Sequence, residues 1–431
     1  MKNTGLYGVA GYPILHSKSP EMFNSILEEN NGRYIRISSK NPREVLEIMK
    51  EMNISGLNIT TPLKESILKY VDESSKTVKE IGAVNTLINK DGKISGFNTD
   101  TVGVVNSFLA HGIKLKGKKI IVIGSGGAGR AAVYGLIDAG ARVYLTNKSG
   151  RMLKEYSSRL KCGYFYENDL VSKIKKADII VNTAPVNLVK EALDTMNARQ
   201  VLLNADYRNS VELNKLNKLN KSARIIDGYS WLLYQGIASY KLFFNEEVDI
   251  KKMSQAIKKP QKKISKLPIS MIGFMGAGKS FIGELLAKQI KRDFYDTDSL
   301  IKFKTNMSIA NIFKEKGEVE FRNMESEILK ELTGKNKKSL ISFGGGVILD
   351  EKNRSLLKAR MLNIWLWTNK RITEERILKS NRPLTKNHSD IEKLLKKRIN
   401  YYADVSDMVV ANIESNSGEL IKKIIGDLEW V

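Results

Sequence analysis

Two glycine-rich loops in this chain have residue types and spacings suited to holding phosphate. Gly124-Ser125-Gly126-Gly127-Ala128-Gly129 reads G-x-G-x-x-G, and Gly273-Phe274-Met275-Gly276-Ala277-Gly278-Lys279-Ser280 reads G-x-x-x-x-G-K-S. They serve different chemistry. In the first, the glycines let the backbone approach a pyrophosphate at a helix N-terminus, as a dinucleotide used in hydride transfer requires. In the second, the amides around Gly276, Ala277 and Gly278 surround the phosphates of ATP or GTP. Lys279 neutralises their β/γ charge, and the Ser280 hydroxyl is a ligand for Mg²⁺. A chain with both loops is expected to carry out two reactions.

Each loop must leave a buried strand and open a helix. The apolar run 118–123 leads into the first loop, 130–139 follows as a helix, and 142–146 reads as the next strand. That is a Rossmann unit. The run 267–272 leads into the second loop, with a helix expected over 280–290. Ahead of both, 5–11, 34–38 and 56–60 read as strands and 20–30 and 42–52 as helices. Further strands are expected at 178–182, 201–204 and 224–227, and a long helix over 230–244. The alternation argues for α/β architecture with mostly parallel sheets. Residues 251–266 are lysine-rich, contain Pro260 and read as a linker.

At 431 residues the chain has room for two or three domains, and 42% hydrophobic residues can build real cores. The single cysteine, Cys162, excludes an internal disulfide and fits a reducing cytoplasm. Gly11, Pro13 and His16 break the N-terminus before a signal-peptide core could form, and no run is long enough to span a membrane. A net charge of +24 raises the alternative of a nucleic-acid-binding ATPase. No interleaving of basic and aromatic residues supports it, and lysines such as Lys393, Lys396 and Lys397 read as a solvated helix face. No nucleic-acid or membrane partner is therefore expected, and three histidines with one cysteine offer no zinc-type cluster.

The end of the second Rossmann strand selects the dinucleotide. A carboxylate there would accept from a ribose 2′-hydroxyl. This chain has Thr146-Asn147-Lys148-Ser149 and then Arg151, cations that suit the 2′-phosphate of NADP.

Over residues 1–245 the chain resembles shikimate dehydrogenase. The resemblance rests on His16-Ser17-Lys18-Ser19-Pro20, Asn58-Ile59-Thr60-Thr61-Pro62-Leu63-Lys64, Gly82-Ala83-Val84-Asn85-Thr86, Asn98-Thr99-Asp100, and Asp227-Gly228 with Gln235. It implies that Ser17 and Ser19 bind the carboxylate of 3-dehydroshikimate. Asn58, Thr60, Asn85 and Gln235 would bind its ring oxygens, and Lys64 with Asp100 would stand at the reacting carbon. A lysine ammonium can stabilise and protonate a forming alkoxide while a carboxylate fixes it. Taken alone, Lys64 reads as a surface lysine and Asp100 as a helix N-cap. Two positions depart from the family pattern: Asn204 replaces an acid ahead of Tyr207, and Lys148 replaces an arginine, whose planar fork grips phosphate better.

Over residues 267–431 the chain resembles shikimate kinase, through Asp296-Thr297-Asp298, Phe321-Arg322 with Glu325, Gly344-Gly345-Gly346, Arg382-Pro383-Leu384, and Arg398 with Tyr401-Tyr402. It implies that Asp298 binds the acceptor hydroxyls and takes the attacking proton, and that Asp296 joins Ser280 in holding Mg²⁺. Arg322 and Arg398 would grip the shikimate carboxylate beside Gly344–Gly346. Arg382 would close over the ATP phosphates from a short lid, and Arg376 is a candidate adenine contact. Singly, each of these reads as an ordinary cap, surface or loop residue.

Together the resemblances imply an N-terminal α/β substrate domain (1–101, completed by a helix at 229–250) and a Rossmann NADP-binding domain (102–228). The linker (251–266) and a P-loop kinase α/β domain with a central parallel sheet (267–431) follow. NADP(H), ATP and Mg²⁺ are the implied cofactors, with 3-dehydroshikimate and shikimate as substrates. Monomer and homo-oligomer both stay open. The alternative within this reading keeps one half only as a silent, regulatory module.

Overall fold

The computed structural model describes residues 5–27, 32–185, 190–207, 223–260, 267–335, 338–378, 388–413 and 416–429. In chain order the strands are β1 (Leu6–Gly11), β2 (Arg33–Ser38), β3 (Ile54–Ile59), β4 (Glu73–Ser74), β5 (Thr86–Lys90), β6 (Lys93–Phe97), β7 (Lys119–Ile123), β8 (Arg142–Thr146) and β9 (Gly163–Tyr164). They continue as β10 (Ile179–Asn182), β11 (Val201–Asn204), β12 (Arg224–Ile226), β13 (Ile269–Ile272), β14 (Asp293–Asp296), β15 (Ser339–Ser342), β16 (Leu362–Trp367) and β17 (Met408–Ala411). The chain forms two compact units, one from Met1–Pro20, Leu27–Leu63 and Lys259–Val431, the other from Glu21–Ile26 and Lys64–Lys258.

In the second of these units the sheet runs β12-β11-β10-β7-β8-β9 with every pair parallel. Both faces of β7 are buried. Ile120 and Val122 enter one core with Val104, Leu136 and Trp231, while Ile121 and Ile123 enter another with Phe165, Ile174 and Leu202. This is why the strand is apolar without alternation. The chain winds one way from β7 to β8 and the other way through β10, so the strand order reverses beside β7. At that reversal the loop at 124–126 leads into the helix Gly127–Asp138.

Two helices, Asp100–Leu109 and Gly228–Phe244, cross closely in the same unit because Gly103 has no side chain. A Cβ there would lie 2.7 Å from Trp231 Cδ1 and 2.8 Å from Gln235 Cβ. Asp227 caps the second helix, accepting from the Ser230 amide at 3.3 Å. β5 and β6 form an antiparallel hairpin around Asp91-Gly92. An Asp-Gly pair between short strand-like runs is its signal.

In the other unit the sheet runs β14-β15-β13-β16-β17-β2-β1-β3, parallel throughout. β13, β16 and β17 are buried along their whole lengths. The phosphate loop leaves the central strand β13 and opens the helix Lys279–Gln289. β17 pairs with β2 in the register Val409 to Ile37 and Val410 to Ser38. Around that join Asp404 takes Arg33 at 2.9 Å, Lys358 at 3.0 Å and Arg354 at 3.4 Å. Burial opposes ionisation of Asp404, but the Lys358 and Arg33 charges outweigh it and hold the carboxyl below its ordinary range.

In this unit the first strands of the chain lie with the last ones because their backbones share a ladder. The expected linker also begins as a helix, Ile250–Lys258, with Met253, Ala256 and Ile257 buried. Its apolar residues fall at helical spacing among the lysines, and the lysine content masked that stripe. Residues 261–266 lie outside the described residues.

Gly103→Ala must push Trp231 or Gln235 aside, at a cost of about 1–3 kcal/mol. The expected result is a lowered thermal midpoint. Gly334→Ala, where nothing lies within 4 Å, is expected to leave the midpoint unchanged or slightly raised.

Candidate active sites

The first loop is shaped to be approached closely by a ligand. Gly126 has open space where a Cβ would be, and a Cβ on Gly129 would lie 1.8 Å from the Gly124 carbonyl oxygen. Gly126 is the N-cap of the helix Gly127–Asp138, and Gly127, Ala128 and Gly129 form its first turn. Unpaired amides at a helix start favour an anion. Asn147, just past β8, donates to Ser125 Oγ at 2.6 Å and to the Arg151 carbonyl at 3.0 Å, tying the strand end to the loop. Lys148 and Arg151 are exposed there. These features fit a dinucleotide.

Arg130 was not anticipated. It is 2% exposed and donates to the Ile81, Ser125 and Gly82 carbonyls, with Glu65 at 3.1 Å. It braces the loop from behind. Its position inside the helix after a glycine loop was the available signal. Asn204 is fully buried in an amide network, accepting from Asn182 at 2.8 Å and donating to the Asp206 carbonyl at 2.9 Å. A neutral amide satisfies that place.

Lys64 Nζ lies 2.6 Å from Asp100 Oδ2, and both side chains are mostly buried. Asp100 is the first residue of its helix, and Thr99 is the N-cap. The Asp100 carboxylate is thus directed to Lys64, and Trp231 Nε1 holds its carbonyl at 3.0 Å. Beside it, Asn85 accepts from the Thr99 amide at 2.7 Å and donates to Thr99 Oγ1 at 3.0 Å and Gln235 Oε1 at 3.5 Å. The structure therefore brings Lys64 to Asp100 and Asn85 to Gln235.

In the other compact unit, Ser17, Ser19 and Asn58 are buried. Ser17 Oγ accepts from the Ser19 amide at 3.4 Å. Tyr34 connects this group: its hydroxyl donates to Asn58 Oδ1 at 2.6 Å and hydrogen-bonds Ser19. Burial pushes the Tyr34 hydroxyl well above its ordinary range, so it stays a neutral donor. Tyr34 was missed, and its place inside a strand gave no hint. Thr60 follows β3 and is partly exposed.

At the second loop, Lys279 opens its helix and donates to the Phe274 carbonyl at 3.1 Å. Ser280 Oγ stands 2.6 Å from Asp296 Oδ2, while the other Asp296 oxygen caps the helix Thr297–Thr305 through the Ser299 amide at 3.0 Å. A hydroxyl and a carboxylate side by side next to phosphate amides are a donor set that fits Mg²⁺, which usually takes one or two protein oxygens plus phosphates and waters. Gly276 and Gly278 take left-handed backbone around Ala277, and Arg376 donates to the Gly276 carbonyl at 3.0 Å. Arg376 thus reaches the loop backbone. Arg382 lies outside the described residues.

A cavity of about 340 Å³ gathers Asp298, Arg322, Glu325, Gly344, Gly345, Gly346 and Arg398. Arg322 Nη1 pairs with Glu325 Oε2 at 2.6 Å, and Arg398 and Tyr402 both donate to the Gly345 carbonyl, at 3.1 and 2.7 Å. Burial lowers the Arg398 guanidinium from its ordinary value and raises the Glu325 carboxyl, though Arg322 pulls Glu325 back. Buried Arg398 Nε and Glu325 Oε1 make no hydrogen bond. A guanidinium with unused donors in a cavity wall suits a carboxylate ligand. Met275, Lys302 and Phe313 also line the cavity and were not anticipated. Lys302 was legible as the i+4 neighbour of Asp298.

The family model for the shikimate dehydrogenase substrate-binding domain matches residues 9–87, and that for shikimate kinase matches residues 275–429. The NADP(+) shikimate dehydrogenase of Aquifex aeolicus is 35% identical over 256 residues, covering 57% of this chain and 93% of its own. That of Ignicoccus hospitalis is 37% identical over 246 residues, covering 55% and 92%. The Thermus thermophilus shikimate 5-dehydrogenase solved with NADP(H) and shikimate aligns at TM-score 0.53 and 28% identity, over 59% of this chain and 98% of that one.

Gly129→Ala forces the first loop open. Dinucleotide affinity, followed by fluorescence titration, is expected to fall at least about tenfold, with ATP affinity unchanged.

Proposed function

The chain belongs to the shikimate dehydrogenase family and carries a shikimate kinase domain on the same polypeptide, and from that premise we propose how its residues divide two consecutive reactions. It is a bifunctional enzyme of aromatic biosynthesis. One activity reduces 3-dehydroshikimate to shikimate with NADPH, and the other phosphorylates shikimate with ATP to shikimate 3-phosphate. The functional division at 1–101 with 229–250, 102–228 and 267–431 is part of this proposal.

In the reduction, Ser17 and Ser19 take the substrate carboxylate, and Asn58, Thr60, Asn85 and Gln235 take ring oxygens. Bound NADPH supplies the hydride. Lys64 stabilises the oxyanion that forms as the ketone is reduced and gives it a proton, and Asp100 keeps the ammonium in place. The 2.6 Å Lys64–Asp100 pair is the observation that carries this reading. Gly124, Gly126, Gly127, Ala128 and Gly129 receive the pyrophosphate, and Asn147, Lys148 and Arg151 the ribose 2′-phosphate.

In the phosphorylation, Arg322, Arg398 and the Gly344–Gly346 loop hold the shikimate carboxylate. Asp298 orients the 3-hydroxyl and accepts its proton. Gly276, Ala277, Gly278, Lys279 and Arg382 hold ATP, and Ser280 and Asp296 are the oxygens available to Mg²⁺, which neutralises phosphate charge. Phosphoryl transfer depends mainly on positioning and charge stabilisation, which the Arg322 and Arg398 guanidiniums and Lys279 provide. The supporting observation is one cavity lined by Asp298, Arg322 and Arg398.

The test is a mass balance on the purified chain with 3-dehydroshikimate, NADPH, ATP and Mg²⁺. Shikimate 3-phosphate is expected to accumulate in step with NADPH oxidation. Shikimate alone would reject the kinase assignment. Lys64→Ala is expected to lower reduction by about 10²–10⁴-fold and spare the kinase, and Lys279→Ala the reverse. Coupled spectrophotometric assays of each half-reaction read both, and a parallel loss in either variant rejects the division of roles.

A further inference from the structure

We infer that Asp427, a residue of the kinase part, is a positioning residue for the dehydrogenase reaction. The inference rests on the assignment of Ser17 and Ser19 to the substrate carboxylate.

Asp427 is at the end of the helix Ser417–Leu428 and is fully buried. A carboxylate in that setting is costly unless its oxygens are paired. Its hydrogen bonds run to the beginning of the chain. Asp427 Oδ1 accepts from the Ile14 amide at 2.5 Å and the Leu15 amide at 3.3 Å, and Oδ2 accepts from the Ser38 hydroxyl. Ile14, Leu15 and Ser38 are themselves fully or almost fully buried. The cavity holding Asp298, Arg322 and Arg398 does not include Asp427.

The turn that Asp427 holds carries the carboxylate-binding serines. The Ile14 carbonyl accepts the Ser17 amide at 2.9 Å, and Ser17 Oγ accepts the Ser19 amide at 3.4 Å. Arg36 fixes the same turn from the other side, donating to the Ser17 carbonyl at 2.7 and 3.1 Å while its remaining nitrogen reaches the Asp407 carbonyl at 3.4 Å. The Asp427 anchor thus comes from beyond the second phosphate loop, and Arg36 reaches the Asp407 carbonyl there as well. β17 pairing with β2 brings Ser38 and Arg36 into range. A serine pair binds a carboxylate only when both hydroxyls and their amides are held in register, and displacement of such a turn acts first on substrate binding.

The test is steady-state kinetics of the full chain with Asp427→Ala, Asp427→Asn and Ser17→Ala. Asn keeps an acceptor for the two amides, whereas Ala leaves both amides buried and unpaired. In Asp427→Ala the KM for 3-dehydroshikimate is expected to rise about tenfold, and in Asp427→Asn about threefold. The kcat of reduction, the KM for NADPH and all kinase constants are expected to stay within about twofold. Wild-type KM in both variants overturns the inference, as does a matching loss of kinase activity, which would mean general destabilisation. If Asp427→Ala does not fold, the Asn variant decides alone, and a wild-type KM there is the overturning result. If Ser17→Ala leaves the KM for 3-dehydroshikimate unchanged, the carboxylate assignment itself fails. If Ser17→Ala raises it while both Asp427 variants match wild type, only the role of Asp427 fails.

Discussion

The pairing of β17 with β2 is the constraint on which one compact unit of this protein depends. Within its own domain β17 ends the strand order β14-β15-β13-β16-β17, and an edge strand leaves a row of backbone donors and acceptors unpaired. β2 satisfies that edge at Val409 and Val410. The P-loop strand β13 and the substrate-side strands β1, β2 and β3 then belong to one parallel ladder. Arg33, Arg36, Ser38, Glu44 and Glu47 become neighbours of Asp404, Asp407, Asp427, Lys423 and Asn369. These contacts join residues more than three hundred positions apart, so each depends on the sheet having formed.

Within each sheet the chemistry stands where parallel architecture leaves backbone amides free. Both phosphate loops leave the carboxyl end of a strand buried on both faces, β7 or β13, and run into a helix N-terminus. The strand cannot move without breaking two ladders, and the helix start offers amides that nothing else needs. Charge is managed differently around the two loops. Arg130 is buried behind the first loop and spends its donors on carbonyls, which stiffens the loop. Arg322 and Arg398 line an open cavity beside the second, with a buried Glu325 balancing one of them. The first arrangement holds a shape and the second keeps positive charge available to an anion.

The elements around the two loops were legible from local pattern. The runs 142–146 and 201–204 form strands with the expected bounds, and the helices after both loops begin within a few residues of expectation. Apolar runs and glycine spacing are local signals, set by backbone geometry that neighbours in sequence dictate. The hairpin at β5–β6 and the helix Ile250–Lys258 were not read, because short alternating runs and a lysine-rich amphipathic stripe carry weak periodicity. Lys64 and Asp100 were named as a pair from motif resemblance, and a 2.6 Å contact joins them. Tyr34 and Arg130 entered the sites only through tertiary contacts.

By itself the sequence determined the two nucleotide loops, the α/β class and the residue types offered to carboxylate and phosphate, since these follow from spacing along a single strand-loop-helix segment. Tertiary structure alone decided which distant segments share a sheet. It placed Asp427 under the Ser17 turn and set Arg322 and Arg398 around one cavity. The physical reason is that strand pairing and the burial of charge are settled by the backbone ladders and partners of remote residues, and no local pattern in residues 5–40 records that their partners lie beyond residue 400.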